Sequence, residues 1–294
     1  MKVQLRGVRG SIPVPGPLTV KYGGNTTCHE ITTSDGKTII IDGGSGIRDL
    51  GLMQLAQLPI ECSIFITHTH WDHIQGLPFY TPLFIPGNQV HIYGAFDPVY
   101  QKNLRDILAA QMEYCYFPVR ETELNANITY QSLAECTEVK VGAATVTPIL
   151  LAHPVLNYGY KIEDSGATYF FSGDYEPAIN IYDPDDEGYC LYQEMIDEQN
   201  QSIIEFIQGA DLAVLDAQYT QQEYETKKGW GHGTYDGCLQ LADAANINRL
   251  ILTHHDPTRT DDQLDELYHQ LSTKYQQHIK PKFEFAREGM VFQL

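Results

Sequence analysis

Thr67-His68-Thr69-His70-Trp71-Asp72-His73 begins where an apolar run, residues 62–67, comes to its end. The run reads as a buried strand. Alternate side chains of an extended stretch point the same way, so His68 and His70 can grip one ion. The chain must then turn, and the turn lets Asp72 and His73 face a second position. Imidazole nitrogen and carboxylate oxygen are what a borderline cation such as Zn²⁺ accepts, and Mn²⁺ or Fe²⁺ would also bind them.

Further candidates close other strand-like runs. His153 follows residues 146–152, Asp174 follows Tyr169-Phe170-Phe171-Ser172-Gly173, and His254 follows Leu250-Ile251-Leu252-Thr253. Asp42 likewise ends Ile39-Ile40-Ile41. A polar residue at a strand end is commonly a cap, so each pattern is weak alone. With the first cluster, His153, Asp174 and His254 form a consistent set of donors for two ions.

Working outward, residues 3–6, 28–33, 38–41, 90–93, 145–151, 160–162, 168–171, 212–215 and 249–252 also read as strands. Residues 47–57 predict a helix. Thr234 predicts an N-cap for a helix with Cys238, Leu241, Ala242 and Ala245 on one face. Thr260-Asp261-Asp262-Gln263 is a capping box before the stripe Leu264, Leu267, Leu271. No linker or repeat is visible, which predicts one domain over residues 1–294.

The charge balance is unusual. Nineteen Lys and Arg face 38 Asp and Glu, a formal charge of −19. Between Lys161 and Lys227 there is no Lys or Arg but sixteen acidic residues, and residues 176–208 read as an acidic insertion, a solvated face or a subunit contact. Such a surface repels nucleic acid and anionic membranes at long range. The N-terminus lacks the apolar core of a signal peptide, and no apolar run approaches the roughly 20 residues of a membrane span. The six scattered cysteines suggest buried, reduced thiols, and a cytoplasmic setting is expected.

The order His-X-His-X-Asp-His, then a His, then Ser-Gly-Asp, then Leu-Thr-His resembles the metallo-β-lactamase superfamily. It is most similar to the phosphodiesterase branch, with tRNase Z, PhnP-type and class III cyclic-nucleotide phosphodiesterases. The likeness runs from Asp42 to Asp256. It implies an α/β protein, an αβ/βα four-layer sandwich of two mixed β-sheets flanked by helices. It further implies His68, His70 and His153 on one divalent metal, Asp72, His73 and His254 on the other, and Asp174 bridging. Asp42 matches a position that supports the ligands, and relatives often pair as homodimers.

Gly231-His232-Gly233-Thr234 resembles a Gly-His-Ser-Thr stretch of tRNase Z-like enzymes whose histidine faces the scissile phosphate. Asp216 lies where that group has a carboxylate partner, although a glutamate is usual in tRNase Z. These matches predict His232, Asp216 and Asp72 as catalytic. The expected reaction is attack by a hydroxide bridging two metals, while His232, backed by Asp216, protonates the leaving oxygen.

A small phosphodiester, 3′,5′-cyclic nucleotide first, is the expected substrate. The acidic charge argues against tRNA, whose phosphates demand a positive surface. A tRNase Z-like RNA 3′ endonuclease, a lactone or thioester hydrolase, and a non-catalytic metal- or nucleotide-binding protein are the alternatives. Arg9, Lys21 and Asn25 lie in Gly-rich loops that could reach a substrate. Trp230 and Tyr114-Cys115-Tyr116-Phe117 could stack on a base. His29 and His91 are expected to be structural.

Overall fold

The computed structural model describes residues 1–275 and 278–294. In chain order the strands are β1 (Lys2–Gly7), β2 (Cys28–Thr32), β3 (Thr38–Ile41), β4 (Glu61–Phe65), β5 (Gln89–Ala95), β6 (Asn127–Leu133) and β7 (Val139–Val141). They continue with β8 (Ala144–Leu151), β9 (Asn157–Asp164), β10 (Ala167–Phe171), β11 (Leu212–Asp216), β12 (Arg249–Thr253), β13 (Lys282–Phe285) and β14 (Val291–Gln293). Two sheets of seven strands result, ordered β14-β1-β2-β3-β4-β5-β6 and β13-β12-β11-β10-β9-β8-β7. Both mix parallel and antiparallel pairs.

The helices are α1 (Ile47–Gln54), α2 (Trp71–Ile74), α3 (Leu104–Ala110), α4 (Tyr189–Ile207), α5 (Gln221–Tyr224), α6 (Tyr235–Ala244) and α7 (Asp261–Tyr275). Strand alternation sorts the core into layers. Ile39, Ile41 and Phe65 of the first sheet meet Tyr160, Phe171 and Val214 of the second between the sheets. The intervening Ile40 and Ile64 face outward onto α1 and α3. On the other side Ala213, Leu215, Leu250 and Leu252 carry α4, α6 and α7. The expected αβ/βα sandwich is therefore the observed one. Because strands are buried on both faces, they read as continuous apolar runs.

Several elements were not legible in the sequence. Strand β6 lies at a sheet edge and is mostly exposed or half-buried, and β7, β13 and β14 are only three or four residues long. Within the acidic stretch, α4 docks through Ile196, Ile203 and Ile207, while Glu194, Asp197 and Glu198 face solvent. Three buried positions in nineteen residues leave little periodic signal. Of the cysteines, Cys28, Cys62 and Cys238 are buried but Cys115, Cys136 and Cys190 are exposed, so the expectation of mostly buried thiols holds for half. Among the described residues no helix is long and apolar enough to cross a membrane.

The loop residues Arg9, Lys21 and Asn25, whose Gly-rich loops could reach a substrate, are engaged by other parts of the fold. Arg9 is fully buried and donates to the carbonyls of Gly23, Asp256 and Arg259, tying three loops together. Lys21 pairs with Asp265, and Asn25 bonds Glu288. His91 bonds Thr129 on the neighbouring strand at 2.8 Å.

His29 is buried between the sheets, 2.7 Å from the Tyr169 hydroxyl. Burial, reinforced by nearby His73, pushes its pKa down to about 3. The unfolded chain takes up this proton near pH 6.5 whereas the folded chain does not, so stability from neutral His29 is full above pH 6.5 and declines as pH falls toward 3. The slope is about 1.4 kcal/mol per pH unit. Denaturant titrations at pH 7 and pH 5 should show about 2 kcal/mol more acid loss in the native chain than in His29→Gln; equal losses would contradict this.

Candidate metal centre

Strands β3, β4, β8, β10, β11 and β12 deliver Asp42, the His68–His73 segment, His153, Asp174, Asp216 and His254 to one edge of the sandwich. The parallel pairings β3–β4 and β10–β11–β12 put these carboxyl ends side by side. The turn after His70 is α2, which carries Asp72 and His73.

Among the described residues three overlapping groups of donors form, each with its ligand atoms within 4.8 Å of one another. One is Asp174, Asp216, His232 and His254, and the two that carry the seven expected ligands are His68, His70, His153 and Asp174, and Asp72, His73, His254 and Asp174. Asp174 belongs to all three. Its Oδ1 lies 3.0 Å from His73 Nε2 and 3.1 Å from His254 Nε2, and its Oδ2 lies 3.5 Å from His68 Nε2. The rings of His68, His70 and His153 converge with centroids 4.7–5.0 Å apart. His70 Nδ1 and His153 Nε2 face each other at 3.2 Å.

Outer partners fix how these rings point. His73 Nδ1 donates to Asp42 Oδ2 at 2.7 Å, His254 Nδ1 to Gln218 Oε1 at 3.0 Å and His153 Nδ1 to the Gly231 carbonyl at 2.8 Å. His68 Nδ1 lies 3.1 Å from Thr67 Oγ1, which donates to Asp42. Each of these bonds turns Nε2 inward as the nitrogen left for a metal, as metal-binding histidines require. Asp72 is held by the Ser11 amide at 2.7 Å. Asp42 and His254 adopt φ of +62° and +61°, a conformation that costs a non-glycine residue energy and clusters at functional sites.

The interior of this cage is unsatisfied. His68 Nε2, His73 Nε2 and Asp174 Oδ1 are buried without a hydrogen-bond partner among the described residues. Buried orphan nitrogens facing buried carboxylate oxygens fit a divalent cation, which would engage all of them. Electrostatics agree. Burial drives His68 well below the ordinary histidine range and His153 to about 4, so both are neutral donors at pH 7. Burial opposes charge on His254 too, yet Asp174, Asp216 and Asp72 raise it to about 9. In the metal-free protein the imidazolium of His254 thus offsets carboxylate charge that a cation would otherwise neutralise.

His232 sits beside this cage, its Nδ1 2.9 Å from Asp216 Oδ2 and 3.8 Å from Asp174 Oδ2. Asp216 is fully buried, and burial raises its pKa, only partly offset by His232 and His254. The Tyr175 amide also donates to its Oδ2 at 3.1 Å. All nine residues singled out from the sequence therefore meet at one edge. Trp230, Tyr114 and Tyr116 are exposed. Ser11 and Gln218 escaped notice, since only the assembled edge brings their loops to the histidines, and Thr67 was read as a strand end without its bond to Asp42. Gln218 alone left a hint, two residues beyond Asp216 at the end of one strand.

Residues 37–255 match the Beta-lactamase superfamily domain family, and the chain belongs to it. A ribonuclease Z of Staphylococcus epidermidis is 23% identical over 283 residues, covering 87% of this chain and 89% of that one. Among solved structures, the metallo-beta-lactamase fold protein YhfI from Bacillus subtilis superposes with a TM-score of 0.68 at 19% identity, over 99% of this chain and 98% of its own. A diphosphatase from the PhnP family gives a TM-score of 0.65 at 18% identity, covering 100% and 97%.

Were each of the two expected ligand groups to hold an ion, Asp174→Ala should abolish retention of both after gel filtration, since Asp174 serves both. His70→Ala should cost only one. Elemental analysis reads the stoichiometry, and an Asp174→Ala protein that keeps a full complement would refute the shared role.

Proposed function

We propose that the chain is a dinuclear metal-dependent phosphodiesterase acting on a small phosphodiester, a 3′,5′-cyclic nucleotide first. The observation that carries this reading is the His232–Asp216 pair, 2.9 Å apart and beside the shared Asp174. His68, His70, His153 and Asp174 would hold one ion, Asp72, His73, His254 and Asp174 the other. Zn²⁺ suits these donors first, Mn²⁺ or Fe²⁺ next. Held there, divalent ions would supply water of pKa about 7 and charge to offset the phosphate oxygens.

The chain's own groups supply the rest. Asp216 accepts from His232 Nδ1, so a proton given to the leaving oxygen would have to come from Nε2 of the imidazolium form. A sugar oxygen is a poor leaving anion and needs that proton. Asp72, fixed by Ser11 and His254, aligns the second ion's donors. A hydrolase of lactones or thioesters would make no such demand for a phosphoester acid.

Substrate size follows from charge and shape. A cavity of about 300 Å³ shares His68 with the centre and is walled by Ile66, Val99, Tyr100, Ile107, Val155 and Leu156. No Lys or Arg lines it, and its size suits one base or aryl group. The cations of the His232 loop are already paired, Lys227 with Asp256 and Lys228 with Glu225. A polynucleotide would find little to grip here. The likeness to ribonuclease Z supports a second reading, cleavage of RNA near a 3′ end. The net charge of −19 weighs against it. The unpaired thiols fit a reducing compartment such as the cytoplasm.

The test compares leaving groups. His232→Ala should slow hydrolysis of 3′,5′-cyclic AMP or GMP about 10²- to 10⁴-fold. It should barely affect bis-p-nitrophenyl phosphate, because p-nitrophenolate departs without a proton. Asp72→Ala should impair both. Cyclic nucleotides left intact while precursor tRNA or acyl substrates are cleaved would overturn the substrate assignment.

A further inference from the structure

Beyond the cage lies a buried carboxylate that the mechanism above does not use. Glu176 is 6% exposed and has no cation against it among the described residues. Its oxygens are filled by neutral donors from one loop. Oε1 accepts from the Gly229 amide at 2.8 Å and the Tyr224 hydroxyl at 2.6 Å, and Oε2 accepts from the Gly231 amide at 2.6 Å. Carboxylate bonds of this kind are stronger than neutral pairs, and removing the acceptor strands the amides.

That loop carries both functional elements opposite Asp174. The Gly231 carbonyl accepts from His153 Nδ1, and the next residue is His232. Gly231 has φ of +90°, and a Cβ there would come within 2.3 Å of His153 Nδ1, so the backbone is pressed against the histidine ring. Glu176 itself stands two residues after Asp174, its amide bonded to the Ala152 carbonyl at 3.1 Å, next to His153. Through its backbone Glu176 thus joins the Asp174 and His153 strand ends, and through its carboxylate it holds the His232 loop.

We propose that Glu176 is a positioning residue for the centre. It pins the 229–233 loop so that the Gly231 carbonyl fixes the His153 tautomer and His232 stays in register with Asp216. The inference rests on the proposed roles of His153 and His232, but its first two readouts do not require turnover.

The experiment uses the full chain with Glu176→Gln and Glu176→Ala, and Tyr224→Phe as a variant that keeps both amide bonds. Hydrogen exchange of the 227–233 amides is read in metal-free protein, metal retention by elemental analysis, and kcat and KM on the loaded enzyme. Glu176→Gln keeps an acceptor at Oε1 but turns an NH₂ toward Gly231, so it reports even if Glu176→Ala fails to fold. Expected are exchange at least tenfold faster, metal affinity weaker by about tenfold to a hundredfold, and a fall in kcat with little change in KM. Tyr224→Phe should stay near the native values. Loosened amides with native metal affinity and kcat, or unaltered amides in both Glu176 variants, would overturn the assignment. A native protein that cleaves no diester would sink the phosphodiesterase reading alone, since exchange and metal retention would still judge Glu176.

Discussion

The carboxylate of Asp174 is where the two donor groups join. It lies 3.0–3.5 Å from the inward nitrogens of His73, His254 and His68, and belongs to every donor group that the fold assembles. Buried among these rings it is held well below the ordinary carboxylate range: burial disfavours its charge, but His254, His73, His68 and His232 outweigh that. A charge in this setting is tolerable only when paired. The metal-free chain pairs it with protonated imidazole, and a divalent cation would do the same while engaging the orphan nitrogens.

Around that carboxylate the sandwich acts as a jig. The strands that end at the cage are packed on both faces, so their ends cannot shift independently. Asp42 ties the first sheet to the cage through Thr67 and His73, and Gln218 does so for the second sheet through His254. The positive φ at Asp42 and His254 is the local cost of turning each side chain inward. The resulting centre is acidic and compact, flanked by a cavity that no Lys or Arg lines.

How much of this the sequence disclosed follows from where each residue sits. His153, Asp174 and His254 were legible because each ends a strand buried on both faces, where an apolar run breaks into one polar residue. His232 and Asp216 were legible only through family likeness; nothing in their spacing of sixteen residues says that they lie 2.9 Å apart. The roles of Glu176, Ser11 and Thr67 were invisible because their partners are backbone amides or remote side chains that only the tertiary fold supplies. Helix α4 hid because its buried face uses three isoleucines among acidic and amide residues. The roles of the loop cations Arg9 and Lys21 stayed open in the sequence because their partners lie far along the chain, at Arg259 and Asp265.

Anomalous diffraction from crystals of the zinc-loaded chain tests the central claim most directly. The account predicts two peaks, one among His68, His70 and His153 and one among Asp72, His73 and His254, with Asp174 touching both. A single peak, or two peaks of which either lies beyond reach of Asp174, would contradict it.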